Sequence, residues 1–260
     1  MHDYTQISHY AAIVASEAGK LLKDAFGSKL NVSHKGDVDL VTEMDLASEK
    51  LIKQRLTSKY PQFNFYGEEN GGEDWKKGMV WVVDPLDGTT NYANGLSHFC
   101  VSIALCKDGV PMVAAIYSPV ENELYTASRG GGAFLNNTLI KVSDETLINQ
   151  ALAVTGFPYN RRECMDEMLS YLRAMMMHVQ GIRRFGSAAL DLCYVAQGTF
   201  SIFWEMNLKP WDIAAGSLLV EEAGGQISKF NGEDMPLDGC QILATNKHLH
   251  KQAVNCLQAL

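Results

Sequence analysis

The sequence lacks a long apolar run. Hydrophobic residues make up 47% of its 260 residues, yet the apolar stretches, such as residues 79–83 and 112–117, have only the length of strands. A helix that spans a membrane needs about 20 consecutive apolar residues. The first residues also show no basic segment followed by an apolar one, which a secretory signal would need. We therefore expect a cytoplasmic protein with no membrane partner.

Positive charge is scarce as well. The chain has 22 Lys and Arg against 30 Asp and Glu, a formal net charge of −8, and it has no block of basic residues. Nonspecific binding to nucleic acids and to anionic membranes depends on positive surface charge. The charge balance thus argues against direct binding to nucleic acids.

The six cysteines are scattered along the chain, and no two of them form a Cys-x-x-Cys pair. Their neighbours are mostly apolar, which is typical of buried, reduced thiols. The pattern disfavours both a disulfide framework and a zinc cluster.

Hydrophobic spacing predicts helices in the first part of the chain. Apolar residues at helical spacing indicate a helix over residues 8–26, with Ser8 as its N-cap and Gly27 as its stop. A second helix is predicted over residues 42–59. Short buried strands should follow, at residues 63–66 and 79–83.

The order of strand and helix patterns in the rest of the chain indicates the fold class. Residues 98–139 alternate apolar segments with turn signals, which is typical of an antiparallel meander. From residue 151 onward, strand and helix patterns alternate. We expect an α/β protein of helices layered on mixed sheets, a single domain over residues 1–260. Its two lobes should cover approximately residues 1–145 and 146–260.

Eight residues directly after the strand at residues 79–83 form the densest chemical signal. They read Asp-Pro-Leu-Asp-Gly-Thr-Thr-Asn and place the carboxylates of Asp84 and Asp87 three positions apart. Carboxylate and carbonyl oxygens are hard ligands that suit Mg²⁺. If a helix begins after Gly88, its free N–H groups also suit an anion. The alternative is a plain turn, because Asp-Gly commonly caps one; the pattern favours the metal.

Three other acidic segments join this signal. Glu68 follows the strand at residues 63–66 just as Asp84 follows the next strand, so adjacent strand ends would bring carboxylates together and require a cation. Asp212 falls in the first turn of a predicted helix, where it is either a partner of the helix dipole or a metal ligand. Thr42 and Asp45 fit a capping box, which is a structural role by default.

In this order, the segments resemble the inositol monophosphatase family of Mg²⁺-dependent, Li⁺-sensitive phosphatases. The resemblance covers nearly the whole chain and rests on residues 39–45, Gly67-Glu68-Glu69, residues 84–91, Gly186-Ser187-Ala188-Ala189, Trp211-Asp212 with Gly216, and residues 222–225. It implies the αβαβα sandwich of the inositol monophosphatase and fructose bisphosphatase type, a homodimer, and two or three Mg²⁺ ions.

The resemblance also implies a role for each matched position. The metal ligands would be Glu68, Asp84, the carbonyl of Leu86, Asp87 and Asp212. Thr89 and Asp45 would orient and deprotonate the attacking water, with help from Glu68. The substrate contacts would be Asp87, Gly88, Thr89, Ala188, Glu205 and Asp212. Residues 35–37 would form either a flap near the site or a plain turn.

The implied reaction is Mg²⁺-dependent hydrolysis of inositol 1-phosphate to myo-inositol and phosphate by direct in-line attack of water. Fructose 1,6-bisphosphatase or broad sugar phosphatase activity is an alternative, with Lys209 and the pair Arg183-Arg184 as candidates for holding a second phosphate. A nucleotidase is disfavoured, since its members typically have Lys-Glu where this chain has Thr90-Asn91. A further alternative, of another class, is a regulatory partner of the transcription machinery that retains the fold.

Overall fold

The computed structural model describes residues 3–28, 32–34, 40–237 and 241–259. Asp39, the segment at residues 35–37 and Cys240 lie outside the described residues. Within the described part the helices are α1 (Tyr4–Ala25), α2 (Glu43–Lys59), α3 (Thr89–Ala93), α4 (Met165–Met176), α5 (Ala188–Ala196), α6 (Pro210–Glu222) and α7 (His250–Gln258). The strands are β1 (Val32–His34), β2 (Leu40–Thr42), β3 (Asn64–Gly67), β4 (Gly71–Gly72), β5 (Met79–Asp87), β6 (Cys100–Lys107), β7 (Val110–Ser118), β8 (Glu123–Ser128), β9 (Gly132–Leu135), β10 (Thr138–Leu139), β11 (Leu152–Thr155), β12 (Gly181–Arg183), β13 (Ile202–Met206), β14 (Gln226–Ser228) and β15 (Gln241–Thr245).

These elements stack in five layers. Helices α1 and α2 cover one face of an eight-stranded sheet of order β10-β9-β8-β7-β6-β5-β3-β4. Helices α5 and α6 lie between this sheet and a five-stranded sheet of order β12-β11-β13-β15-β14, and α4 and α7 cover the far face. Each interface is filled by an apolar cluster, represented by Trp81, Leu219 and Leu257. The layering confirms the predicted αβαβα sandwich, whereas the lobe boundary near residue 145 stays a prediction.

The first helix begins earlier than its apolar pattern predicted. Asp3, not Ser8, is the N-cap, and its carboxylate accepts the N–H of Gln6 at 3.1 Å. Ser8 is buried inside the helix. The prediction was wrong because the first turn is polar on its exposed side, so the apolar period becomes visible only one turn into the helix. The predicted stop is confirmed, since Gly27 has a φ of 79° just beyond the helix end.

Strand register brings the predicted acidic segments together. Strands β3 and β5 are parallel, and Gly67 pairs with Val83. The next residue of each strand is an acid, so Glu68 and Asp84 lie at the same edge of the sheet. Between Asp84 and Asp87 the pairing with β6 shifts register, which marks a bulge in β5. A bulge re-aims the side chains of its strand, and here it follows the first of the two aspartates.

Helices α5 and α6 cross at very short range in the middle layer. A Cβ atom placed on Gly216 of α6 would lie 2.6 Å from the Cβ and Cδ1 atoms of Leu192 on α5, a fully buried residue. Glycine inside a helix normally costs stability relative to alanine. At this position the close approach of the two helices outweighs that cost.

We therefore expect Gly216→Ala to lower the free energy of unfolding by about 1–3 kcal/mol through overpacking, although alanine is the better helix former. The measurement is chemical denaturation of the wild type and the variant. Combining the change with Leu192→Ala should lower stability by less than the sum of the two single effects, because the second change makes room for the added methyl group. A stabilising Gly216→Ala would contradict the proposed packing.

Candidate active site

A cavity of about 480 Å³ opens at the sheet edge where β3 and β5 end. Its walls come from both sheets and from the N-terminal ends of α3, α5 and α6. The lining includes nine of the ten predicted site residues, namely Glu68, Asp84, Leu86, Asp87, Gly88, Thr89, Ala188, Glu205 and Asp212. The tenth, Asp45, does not line the cavity but contacts Thr89 from behind. The structure thus brings all the predicted positions into one place.

The turn after Asp84 is held in shape by two hydrogen bonds. The Leu86 N–H donates to Oδ1 of Asp84 at 2.9 Å. From the opposite side, the hydroxyl of Ser48 on α2 donates to the carbonyl oxygen of Pro85, also at 2.9 Å. The chain then reaches Gly88, which has a φ of 93° and caps α3. A Cβ there would lie 2.9 Å from the carbonyl oxygen of His98, so this position requires glycine.

Thr89 and Asp45 form a buried pair. The Thr89 hydroxyl lies 2.9 Å from Oδ1 of Asp45 and 3.0 Å from the carbonyl oxygen of Leu86. The other oxygen of Asp45 accepts the N–H of Thr42 at 2.8 Å and its hydroxyl at 2.6 Å, which confirms the predicted capping box. Burial raises the pKa of Asp45, and the hydrogen bonds from Thr42 and Thr89 partly offset that rise.

Asp87 joins the two halves of the chain. Its Oδ2 accepts the hydroxyl of Ser187 at 2.6 Å and the N–H of Ala189 at 2.8 Å, both at the start of α5. The Cys100 thiol lies 3.9 Å from the same oxygen. Burial raises the pKa of Asp87, and the Ser187 and Ala189 donors oppose that rise. Because three donors point to Oδ2, Oδ1 is the oxygen left for the cavity.

Asp212 approaches the same space from α6. Its Oδ2 accepts the N–H of Lys209 at 2.7 Å, as expected for an acid in the first helical turn. The aromatic rings of Trp211 and Tyr66, 5.4 Å apart, pack the start of α6 against β3. Burial raises the pKa of Asp212 well above its usual range, and the charges of Asp87 and Glu68 raise it further.

Asp84 is repelled by three neighbouring acids. Burial raises its pKa well above its usual range, followed by the charges of Glu68, Asp87 and Asp212. Four carboxylates therefore interact across one cavity. Carboxylates this close favour protonation or a bound cation, because like charges in a low-dielectric site raise each other's pKa.

The donor chemistry fits a hard divalent cation. Four carboxylates and the carbonyl of Leu86 line the same cavity, and oxygen-only ligands suit Mg²⁺. Among the described residues, however, no three His, Cys, Asp or Glu side chains are already arranged as a metal-binding group. In each of Asp84, Asp87 and Asp212, one carboxylate oxygen accepts a hydrogen bond from an N–H or hydroxyl group. The other carboxylate oxygens supply the charge that a cation would require.

Several contacts of the site were not predicted from the sequence. Asn91 donates to the carbonyl oxygens of His98 at 2.8 Å and Phe185 at 2.9 Å, and so ties α3 to the segment before α5. Ser187 was named only as part of the matched segment at residues 186–189, yet it also contacts Asp87. Ser48 and Glu49 lie inside α2, where polar residues usually face solvent. Only their burial, at 0% and 1% exposure, reveals that they face the site.

The layered fold and the carboxylate-lined cavity agree with a phosphatase, which the family comparison supports. The family model described as "Inositol monophosphatase family" matches residues 3–259. The chain therefore belongs to the inositol monophosphatase family.

Relatives and solved structures agree with this assignment. The chain is 43% identical over 247 residues to an inositol-1-monophosphatase of Rhizobium meliloti, covering 93% of this chain and 92% of the relative. It is 44% identical over 223 residues to a protein of Xylella fastidiosa named Nus factor SuhB, covering 84% of this chain and 81% of the relative. The crystal structure of the extragenic suppressor protein suhB from Bartonella henselae superposes with a TM-score of 0.93 at 38% identity, covering 98% and 99% of the two chains.

The crowding of carboxylates predicts a pH-dependent stability of the metal-free protein. Burial and neighbouring charge raise the pKa of Asp84 above the value of about 3.9 that aspartate has in unfolded chains. Between these two pKa values the folded state binds the extra proton, so the contribution of Asp84 to stability falls as the pH rises. Asn mimics the protonated form, keeps the acceptor for Leu86 and carries no charge.

We therefore expect metal-free Asp84→Asn and the wild type to have similar Tm values near pH 4. Near pH 8 the variant should be more stable by on the order of 1 kcal/mol or more, equivalent to about 2–4 °C in Tm. Mg²⁺ should raise the Tm of the wild type near pH 8 and raise that of the variant much less. Calorimetric scans over this pH range measure the difference. A Tm gap that is independent of pH would show that Asp84 is not under charge repulsion.

Proposed function

We propose that this chain hydrolyses inositol 1-phosphate to myo-inositol and phosphate, with Mg²⁺ as cofactor, by direct in-line attack of water. The observation that carries the proposal is the meeting of four mutually repelling carboxylates with the Thr89–Asp45 pair around one cavity. Family membership supports the same conclusion. No Asp-x-Asp-x-Thr nucleophile motif occurs in the sequence, so a covalent phosphoenzyme is not required.

The cofactor would be held by the oxygens of the residues that line the sheet edge: Glu68, Asp84, the carbonyl of Leu86, Asp87 and Asp212. Two or three Mg²⁺ ions bound there would supply charge neutralisation for a phosphate dianion and a lowered pKa for water. The chain's own contribution is to hold these oxygens together in a buried site where water alone would not screen their charges.

Thr89 and Asp45 would receive the proton of the attacking water. A hydroxyl has one proton and two lone pairs, so Thr89 can donate to Asp45 while it accepts from a water in the cavity. The raised pKa of Asp45 makes it a better proton acceptor than an exposed aspartate. Glu68 lines the same cavity and would assist.

Substrate contacts would come from both halves of the chain. The N–H groups of Gly88 and Thr89, at the start of α3, suit the phosphate oxygens. Ala188 and Glu205 line the same cavity and would meet the cyclitol hydroxyls. Glu205 packs directly on Gly156, where a Cβ would overlap its carboxylate. Its position is therefore constrained by the backbone behind it.

The decisive test of the proposal is phosphate release from inositol 1-phosphate in the presence of Mg²⁺. We expect Asp84→Asn to lower kcat/KM by at least about 100-fold, because even residues that only hold a metal ligand in place typically contribute 10–100-fold. Asp166→Asn is the matched control, since it makes the same change at an exposed aspartate in the first turn of α4. Undiminished turnover by Asp84→Asn would refute the proposed metal site.

A second candidate substrate is a sugar bisphosphate such as fructose 1,6-bisphosphate. The observation that favours it is a set of three cations that line the cavity, Arg161, Arg184 and Lys209, here called the rim. Lys209 and Arg184 were predicted for this role, whereas Arg183 does not line the cavity and Arg161 was missed. The rim is thus the only place in the described cavity where a second phosphate would find positive charge.

If a second phosphate binds at this rim, Arg161→Ala should lower kcat/KM for the bisphosphate by about 10–100-fold, the value of one hydrogen bond between charged groups. The effect on inositol 1-phosphate should stay within about threefold, because that ester carries one phosphate. Parallel assays of phosphate release from both esters measure the ratio. Equal losses on the two esters would exclude a specific second-phosphate site.

Family membership supports further proposals about the protein as a whole: lithium sensitivity, a homodimer and a cytoplasmic location. At the end of α4, Met176 and its neighbour Met177 are 63% and 76% exposed, and a partner subunit would cover such side chains.

The described helices include none that is long and apolar enough to cross a membrane. A regulatory role with the transcription machinery is a separate hypothesis, supported by relatives named Nus factor SuhB.

A further inference from the structure

Helix α2 presents an unusual buried face towards the site. Its buried residues are Ile52 and Leu56 in the C-terminal half but Asp45, Ser48 and Glu49 in the N-terminal half. The three polar positions follow the spacing i, i+3 and i+4, which places them on one side of a helix. Asp45 contacts Thr89 and Ser48 contacts the carbonyl of Pro85. Glu49 has no role in the proposed chemistry.

Glu49 is tied to the loop that carries Glu68. Its Oε2 accepts the N–H of Glu69 at 2.8 Å. Its Oε1 accepts the N–H of Asn70 at 3.1 Å and the side-chain amide of Asn70 at 2.6 Å. A carboxylate that accepts from several N–H groups forms stronger bonds than a neutral acceptor does. With 1% exposure, Glu49 makes these bonds away from water.

These contacts determine where the backbone of Glu68 lies. On one side of Glu68, the carboxylate of Glu49 packs so closely on Gly67 that a Cβ there would overlap it. On the other side, Glu49 holds the N–H groups of Glu69 and Asn70. The N–H of Glu68 itself donates to the carbonyl oxygen of Val83 at 3.1 Å. The peptide units around Glu68 are therefore held by β5 and by α2 together.

We propose that Glu49 is a positioning residue that directs the Glu68 carboxylate into the cavity. The inference rests on the proposed function, since it assumes that Glu68 binds the cofactor. Its physical basis is that a metal ligand on a loop loses affinity when the loop can move, and groups that hold ligands in place typically change metal affinity by 10–100-fold. A role in folding alone would change stability without changing metal affinity.

The test compares Mg²⁺ affinity with stability in Glu49→Gln. The change keeps the shape of the side chain but turns an amide NH₂ towards N–H donors of the 69–70 loop. We expect the Kd for Mg²⁺, measured by titration calorimetry on metal-free protein, to rise 10–100-fold. The control is Ile52→Val, one turn further along the same buried face of α2. It should lower Tm while leaving the Kd for Mg²⁺ within about twofold.

Each outcome decides one of the two proposals. If the wild type neither binds Mg²⁺ nor releases phosphate, the proposed function fails. If the wild type does both while Glu49→Gln leaves the Kd for Mg²⁺ unchanged, or changes it no more than Ile52→Val does, the positioning role fails and the proposed function stands. Should Glu49→Gln not fold, Asn70→Ala decides the matter. It removes only the 2.6 Å bond from an exposed residue, and we expect a severalfold rise in the Kd for Mg²⁺; an unchanged Kd would overturn the role.

Discussion

Repulsion among buried carboxylates is the constraint on which the rest of this structure depends. The parallel register of β3 and β5 places Glu68 and Asp84 side by side at one edge of the sheet, and Asp87 and Asp212 add charge to the same space. A fold that minimised its own free energy without a ligand would not gather four acids, two of them buried, around one cavity. The arrangement is intelligible as preparation for a cation, whose binding energy compensates for the repulsion.

In three of these acids, one carboxylate oxygen accepts a hydrogen bond from the protein, and the other oxygen remains for the cavity. Asp84, Asp87 and Asp212 each give one oxygen to a nearby N–H or hydroxyl. These bonds orient the carboxylates and limit the cost of burying them. They also explain why the acids are gathered without yet forming a ready-made metal-binding group among the described residues.

The sequence allowed much of this arrangement to be predicted wherever a local pattern carries the information. Acids that directly follow buried strands, the Thr42–Asp45 capping box and the order of the motifs were sufficient to predict the fold class and the set of residues around the cavity. The start of α1 was placed too late because a polar first turn hides the apolar period. Ser48, Glu49 and Asn91 were missed as contacts, since their partners lie far along the chain and polar residues on a helix usually face water. Such roles depend on tertiary contacts, which no window of sequence contains.

In the proposed function, the two halves of the chain contribute differently to the cavity: one mainly to metal binding, the other to the choice of substrate. In this proposal, residues up to Thr89 would supply the proton-accepting pair and all the metal oxygens except those of Asp212. Residues after Gly156 supply Glu205 and the cations of the rim. Buried contacts connect the two sets, among them Ser187 and Ala189 with Asp87, and Asn91 with Phe185. Changes on the rim can therefore alter which ester is accepted while the metal oxygens keep their places. Substrate range can diverge in such a scaffold without loss of phosphatase chemistry, which fits a family whose members carry different names on one fold.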